Sequence, residues 1–217
     1  MHQRGDRQAD EMALLAWRMC VLRQARTLNI AKEYKHGTIT PTWLHELAKL
    51  STFDEGPKLA REYLARHGIT LVIEKHFKRT FLDGAAMLDN DRPIVALTLR
   101  HDRFDNFWFA LLHELAHVAK HLTVDAPVFI DDLDRSHPEK VEAEADAMAG
   151  EALIPEKSWR TAKVRTTLLS EDAIAFADEI GVHPAIVAGR LRHEEKNFRL
   201  LSHLIGKTGQ VSQILDQ

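Results

Sequence analysis

Only one cysteine, Cys20, occurs in the 217 residues, so no disulfide can close within the chain and no Cys-x-x-Cys metal knuckle exists. Any bound metal must then be held by histidine and carboxylate. Long apolar runs are also missing. Nothing approaches the ~18 uninterrupted apolar residues of a helical membrane span, and no membrane partner is expected. The opening stretch MHQRGDRQADEMALLAW sets charges on both sides of a brief apolar run. That differs from the basic-then-apolar layout of a secretory signal, and the expected location is cytoplasmic. Nor is there a large surplus of one charge: a net charge of −3 gives no strong pull toward nucleic acid.

What remains resembles an ordinary globular chain, 45% apolar and 28% charged. A chain of this length buries roughly 70% of its unfolded surface, enough for one sizeable domain with appended helices. Charge is uneven along it, with Asp and Glu crowded into 125–156 and Arg and Lys more frequent over 157–207. Thirteen histidines are many for this length, but only their spacing can give them meaning.

Apolar periodicity predicts a helix within 11–35, ended by the breakers of HGTITPTW, and a second around 43–51 capped by Thr40 or Thr42. A third runs from Gly56-Pro57 to Gly68, with proline at its start and glycine just past its end. ITLVIEK (69–75) is β-branched. GAAMLDNDRPIVALTL (84–99) reads as a hairpin around Asp89-Asn90-Asp91-Arg92, with Pro93 suited to an edge strand or a strand's first residue. From Asp102 as N-cap, a strongly amphipathic helix reaches about Leu122. VFIDDL (128–133) is a loop or short strand, and a further helix opens at Pro138 and stops before Pro155. Helices are expected in the tail at 157–168, 171–180 and 184–195, and over NFRLLSHLIG. The fold class is α+β and mostly helical, with a small antiparallel or mixed sheet. Three regions divide it: an N-terminal helical extension (1–55), a core (56–160) and a C-terminal helical region (161–217).

The chemistry centres on His113-Glu114-Leu115-Ala116-His117. Residues four apart on a helix differ by only ~40° around its axis, so both imidazoles project from one face and can bite one ion. Glu114 points to the side, where a carboxylate can take a proton from a metal-activated water without ligating the ion itself. The motif alone arises by chance in roughly 6% of such chains, but an exposed histidine pair would not sit among Phe107, Trp108, Phe109, Leu111, Leu112, Leu115 and Val118. A catalytic site of this type needs a third protein ligand and an open fourth position. In Glu142-Ala143-Glu144-Ala145-Asp146, Glu142 is the best-placed ligand and Asp146, one turn on, can accept a hydrogen bond from the far nitrogen of a ligand histidine. Glu144 competes, but its position two residues on turns it toward solvent. His121, two turns beyond His113 and about 80° around the helix from it, is poorly placed for direct ligation and is expected to support a ligand, line the substrate cleft or lie plainly on the surface. A donor for the developing oxyanion is sought among His121, His183, His193 and backbone amides.

HELAH, then ExxAD about 25 residues later, then ALIP, resembles the ImmA/IrrE family of zinc metallopeptidases over roughly 57–217. The resemblance implies a zincin-like fold, Zn2+ held by His113, His117 and Glu142, and Glu114 as general base. It also implies a protein substrate: a helix-turn-helix repressor, whose cleavage releases genes for stress response or mobile-element excision. Met148 and Ile154 depart from the family's usual residues but conserve volume. DNFWFALLHELAH and EGPKLAREYLARHGI resemble the peptidase domain of HigA-like antitoxin regulator fusions, although no full DNA-binding domain is evident in the first 55 residues.

A rival signal lies in the tail. ADEIGVHPAIVAGRL (177–191) has the spacing of a helix-turn-helix core, with Arg190 and Arg192 adding charge. It would bind DNA or a toxin partner in a non-catalytic regulator; the structural alternative is a helix pair packed on the core. The second helix has few donors for base edges, which favours packing.

Overall fold

A computed structural model of the chain describes residues 10–28, 30–123, 126–130 and 139–216. Helix α1 (Glu11–Thr27) starts at Asp10, whose carboxylate accepts from the backbone N–H groups of Met12 and Ala13. Its buried stripe, Leu14, Trp17, Val21 and Ala25, recurs at helical spacing. The helix is shorter than the predicted 11–35: it stops just after Arg26 forks onto Asp89 at the tip of the hairpin, and Arg92 of the sheet then donates to the Ile30 carbonyl. Next come α2 (Pro41–Lys49), capped by Thr40, a 3-10 turn over Leu50–Thr52, and α3 (Gly56–Arg66). Gly68 ends α3 at φ +77, where an added Cβ would meet the Tyr34 amide at 2.3 Å, so only glycine fits the turn.

Strands β1 (Thr70–Ile73), β2 (Gly84–Asp89), β3 (Arg92–Leu97) and β4 (Val128–Ile130) form one mixed sheet in the order β1-β3-β2-β4. β1 runs parallel to β3, and β2 is antiparallel to both β3 and β4. The hairpin forms as expected, with Asn90 in the left-handed region (φ +56). Pro93, however, lies in a central strand. It is tolerated because β1 begins pairing only at Ile94, so its missing N–H interrupts no bond to that neighbour.

Alternation along β3 splits the core. Ile94 and Ala96 join Val72, Ala85 and Met87 beneath α1, while Val95 and Leu97 face the larger core with Leu71 and Ala86. Against that second face lies α4 (Phe104–Lys120), which in turn packs on α5 (Glu139–Leu153) and α9 (Pro184–Glu194). Asp102 does not cap α4; Arg103 occupies that position without a side-chain bond. Asp102 instead accepts from the Val211 and Ser212 amides at 3.0 and 3.1 Å, capping α11 (Gln210–Leu215), a long-range use that local spacing could not reveal. The tail also holds α6 (Glu156–Thr161), α7 (Val164–Thr167), α8 (Ser170–Ile180) and α10 (Ser202–Ile205), so the single helix predicted at 157–168 is broken at Ala162, and NFRLLSHLIG yields only one short turn of helix. Pro138 and residues 131–133 lie outside the described residues. Architecture is α+β and mostly helical, and no described helix is long and apolar enough to cross a membrane.

Candidate metal centre

Helix α4 is buried on almost every side. Phe104, Phe107, Trp108, Leu111, Leu112, Leu115 and Val118 fill the space between the sheet, α5 and α9, and this packing carries His113 (7% exposed), Glu114 (1%) and His117 (0%) into the interior. Phe109 is the exception to the expected packing. It lies one turn before His113 on the face that opens to solvent, 42% exposed, with its ring centroid 6.2 Å from that of His113.

Helix α5 meets α4 through alanine. Ala145, Ala149 and Ala152 are buried, and their small side chains let the two backbones approach closely enough for a glutamate to reach the imidazoles. Glu142 Oε2 lies 3.3 Å from His113 Nε2, Glu142 Oε1 lies 3.7 Å from His117 Nε2, and the two Nε2 atoms are 3.0 Å apart. Tetrahedral donors ~2.0–2.1 Å from a zinc ion sit roughly 3.3–3.4 Å from one another, so the spacing of this donor set suits one ion. All three donor atoms fall within 4.8 Å of one another, a grouping able to hold a metal.

The groups around this trio differ in kind. Asp146 Oδ1 is 2.9 Å from His113 Nδ1, which leaves Nε2 as the nitrogen that would offer its lone pair to an ion. Glu144 is not in the trio. Its side chain, 42% exposed, does not simply face solvent: one oxygen takes a 2.5 Å hydrogen bond from Lys120 Nζ and the other lies 3.6 Å from His121 Nε2. The Lys120 ammonium holds the Glu144 carboxyl below its ordinary range, with His121 adding to the effect. His121 Nδ1 stands 3.0 Å from His117 Nδ1, and burial pushes the His121 pKa down despite the opposing carboxylate of Glu144. His183, one of the oxyanion candidates, is engaged elsewhere: its Nδ1 accepts from the Ala185 amide and caps α9, and its ring packs on Phe104.

One functional contact is not apparent from the sequence. Gly84, the first residue of β2, backs directly onto Glu114: a Cβ there would lie 2.6 Å from Glu114 Oε1 and 2.9 Å from its Cγ. A glycine opening an otherwise apolar strand is the signal that marks such a close approach, but the partner is visible only in three dimensions.

Two imidazoles from one buried helix, a carboxylate from the next and a second buried carboxylate beside them define a metallopeptidase-type centre. The chain belongs to the M78 peptidase family, described by its IrrE N-terminal-like domain, which matches residues 64–192 and so spans β1 through most of α9. No curated protein matches it.

Proposed function

We propose that the chain is a zinc-dependent endopeptidase that cuts a helix-turn-helix repressor or related regulator in the cytoplasm. The observation that carries this reading is the convergence of His113, His117 and Glu142 beside a buried Glu114, in a chain of a peptidase family. When bound, zinc supplies Lewis acidity, acidifying a water toward pKa ~7 and polarising the scissile carbonyl.

The chain's own residues do the rest. Glu114, fixed between α4 and the Gly84 backbone, takes a proton from the attacking water and returns it to the leaving amine. Asp146 holds His113 in the tautomer that offers Nε2. Phe109, open to solvent beside His113, offers an apolar surface to a substrate side chain. The choice of a repressor as substrate rests on the resemblance to ImmA/IrrE proteins.

The alternative, a non-catalytic module gripping DNA or a toxin through α8 and α9, gains nothing from the packing. Ala185, Ile186, Val187, Ala188 and Leu191 of α9 are buried, and Arg190 is held by Glu156, Glu194 and the Trp159 ring. The deciding experiment incubates zinc-loaded protein with the helix-turn-helix regulator encoded nearest to it. Cleavage by the wild type and none by Glu114→Gln, at unchanged zinc content, supports the mechanism; cleavage at the normal rate by Glu114→Gln refutes it.

A further inference from the structure

We propose that His121 and Glu144 form a relay that fixes the His117 ring for metal binding, making both positioning residues for the centre. This rests on the metal-centre reading above. If His117 offers Nε2 to an ion shared with His113 and Glu142, its remaining proton must sit on Nδ1. That nitrogen faces His121 Nδ1 at 3.0 Å. Two N–H groups cannot point at each other across this distance, so His121 Nδ1 is the acceptor and the His121 proton resides on Nε2. His121 Nε2 in turn faces Glu144 Oε2 at 3.6 Å, and the other oxygen of that carboxylate is anchored by Lys120 Nζ at 2.5 Å. Ligation at a single nitrogen therefore sets the tautomer of two rings and turns the outermost proton, on His121 Nε2, to the side of the Glu144 carboxylate 3.6 Å away.

The arrangement parallels the other ligand. His113 is held directly by Asp146, and His117 is held through one intervening ring by Glu144, so α5 supplies one ligand and both anchoring carboxylates. His117 is wholly buried, so an internal acceptor at Nδ1 is worth more than at an exposed histidine. Helix position alone does not reveal the relay. His121 is the residue that ends α4, one turn beyond His117, and it reaches Glu144 only because the alanine face of α5 brings the two helices together.

The test is a zinc titration of the full-length protein against a chromophoric chelator, for wild type, Glu144→Gln, His121→Ala, the double variant and His113→Ala. Zinc affinity is expected to fall about tenfold in Glu144→Gln and by roughly 10–100-fold in His121→Ala. The double variant should be no weaker than His121→Ala alone, because Glu144 acts through that ring. Long-range 15N–1H spectra of zinc-loaded protein should show His117 protonated at Nδ1 and His121 at Nε2, a readout that needs only the wild type if His121→Ala does not fold. Unchanged affinity in Glu144→Gln, additive losses in the double variant, or a proton on His121 Nδ1 would each overturn the relay. If instead the wild type takes up no zinc, or His113→Ala retains it, the metal centre itself is wrong and the relay falls with it.

Discussion

Helices α4 and α5 bring opposite qualities to the same point. The side chains that α4 contributes are dry, at 8% exposure for His113 and 0% for His117, whereas those from α5 reach into solvent, at 26% for Glu142, 42% for Glu144 and 59% for Asp146. Aromatic and branched residues wedge α4 on nearly all sides; α5 is seated mainly by the alanines Ala145, Ala149 and Ala152, with Leu153 at its end. The difference matters for chemistry. Imidazole rings and a general base work best when packing fixes their rotamers, while carboxylates keep their charge more cheaply at a water boundary. The centre is therefore more open at its α5 carboxylates, and Phe109, next to His113 on α4, is exposed as well.

This contrast can be broken at several points. The largest effect is expected on α4 itself: His117→Ala should abolish stoichiometric zinc, and elemental analysis showing full zinc content would remove His117 from the centre. Glu114→Gln should keep its zinc and lose roughly 10²–10⁴-fold in kcat, so a variant that also loses its metal would mean Glu114 does more than move a proton.

Gly84→Ala sharpens the comparison, because it crowds the dry side from the sheet without touching a ligand. It should cost about 1–3 kcal/mol of stability and lower kcat while leaving zinc affinity intact. Shortening the neighbour in Gly84→Ala/Glu114→Asp should recover much of the lost stability in urea unfolding; equal destabilisation in both backgrounds would show that the glycine serves only the backbone. On the wet side, Asp146→Ala should weaken zinc by about 10–100-fold, less than the loss of either histidine, and an unchanged affinity would show that His113 needs no partner.

The smallest effect is expected in the tail, away from both helices' chemistry. Burial lowers the His183 pKa below its ordinary 6.5, only partly offset by Asp54, so the folded protein binds fewer protons there than the unfolded chain. Its contribution to stability is present above pH ~6.5 and is lost as pH falls from there through the folded-state value. His183→Asn keeps an acceptor for the Ala185 amide and removes the titration, so it should flatten that part of the stability profile. Identical profiles for variant and wild type between pH 5 and 7 would show that the ring contributes no such term.

Much of the centre is legible in the sequence. A pair of histidines one turn apart inside an apolar stretch, and a glutamate heading a later helix with Asp146 one turn on, require only helical geometry, and the fold brings those residues together. Local signals also place Gly68 and the hairpin correctly, and they narrow the cap of α2 to Thr40 or Thr42, of which the structure uses Thr40. What spacing cannot show depends on partners far apart in sequence. Asp102 sits where a cap for α4 is wanted yet caps α11, more than a hundred residues away. Pro93 occupies a central strand because β1 starts one residue later. Phe109 has the hydrophobicity of a core residue but lies on the face that the metal-binding groups leave open. Gly84 and Glu144 belong to the same class: each acquires its role from a neighbour on another element.

The central claim is that one carboxylate from α5 completes the pair of rings on α4, and zinc titration of Glu142→Ala tests it most directly. The account predicts one tightly held zinc per chain in the wild type and none surviving dialysis in the variant, with the fold unchanged by circular dichroism. A Glu142→Ala protein that holds zinc as tightly as the wild type would contradict it.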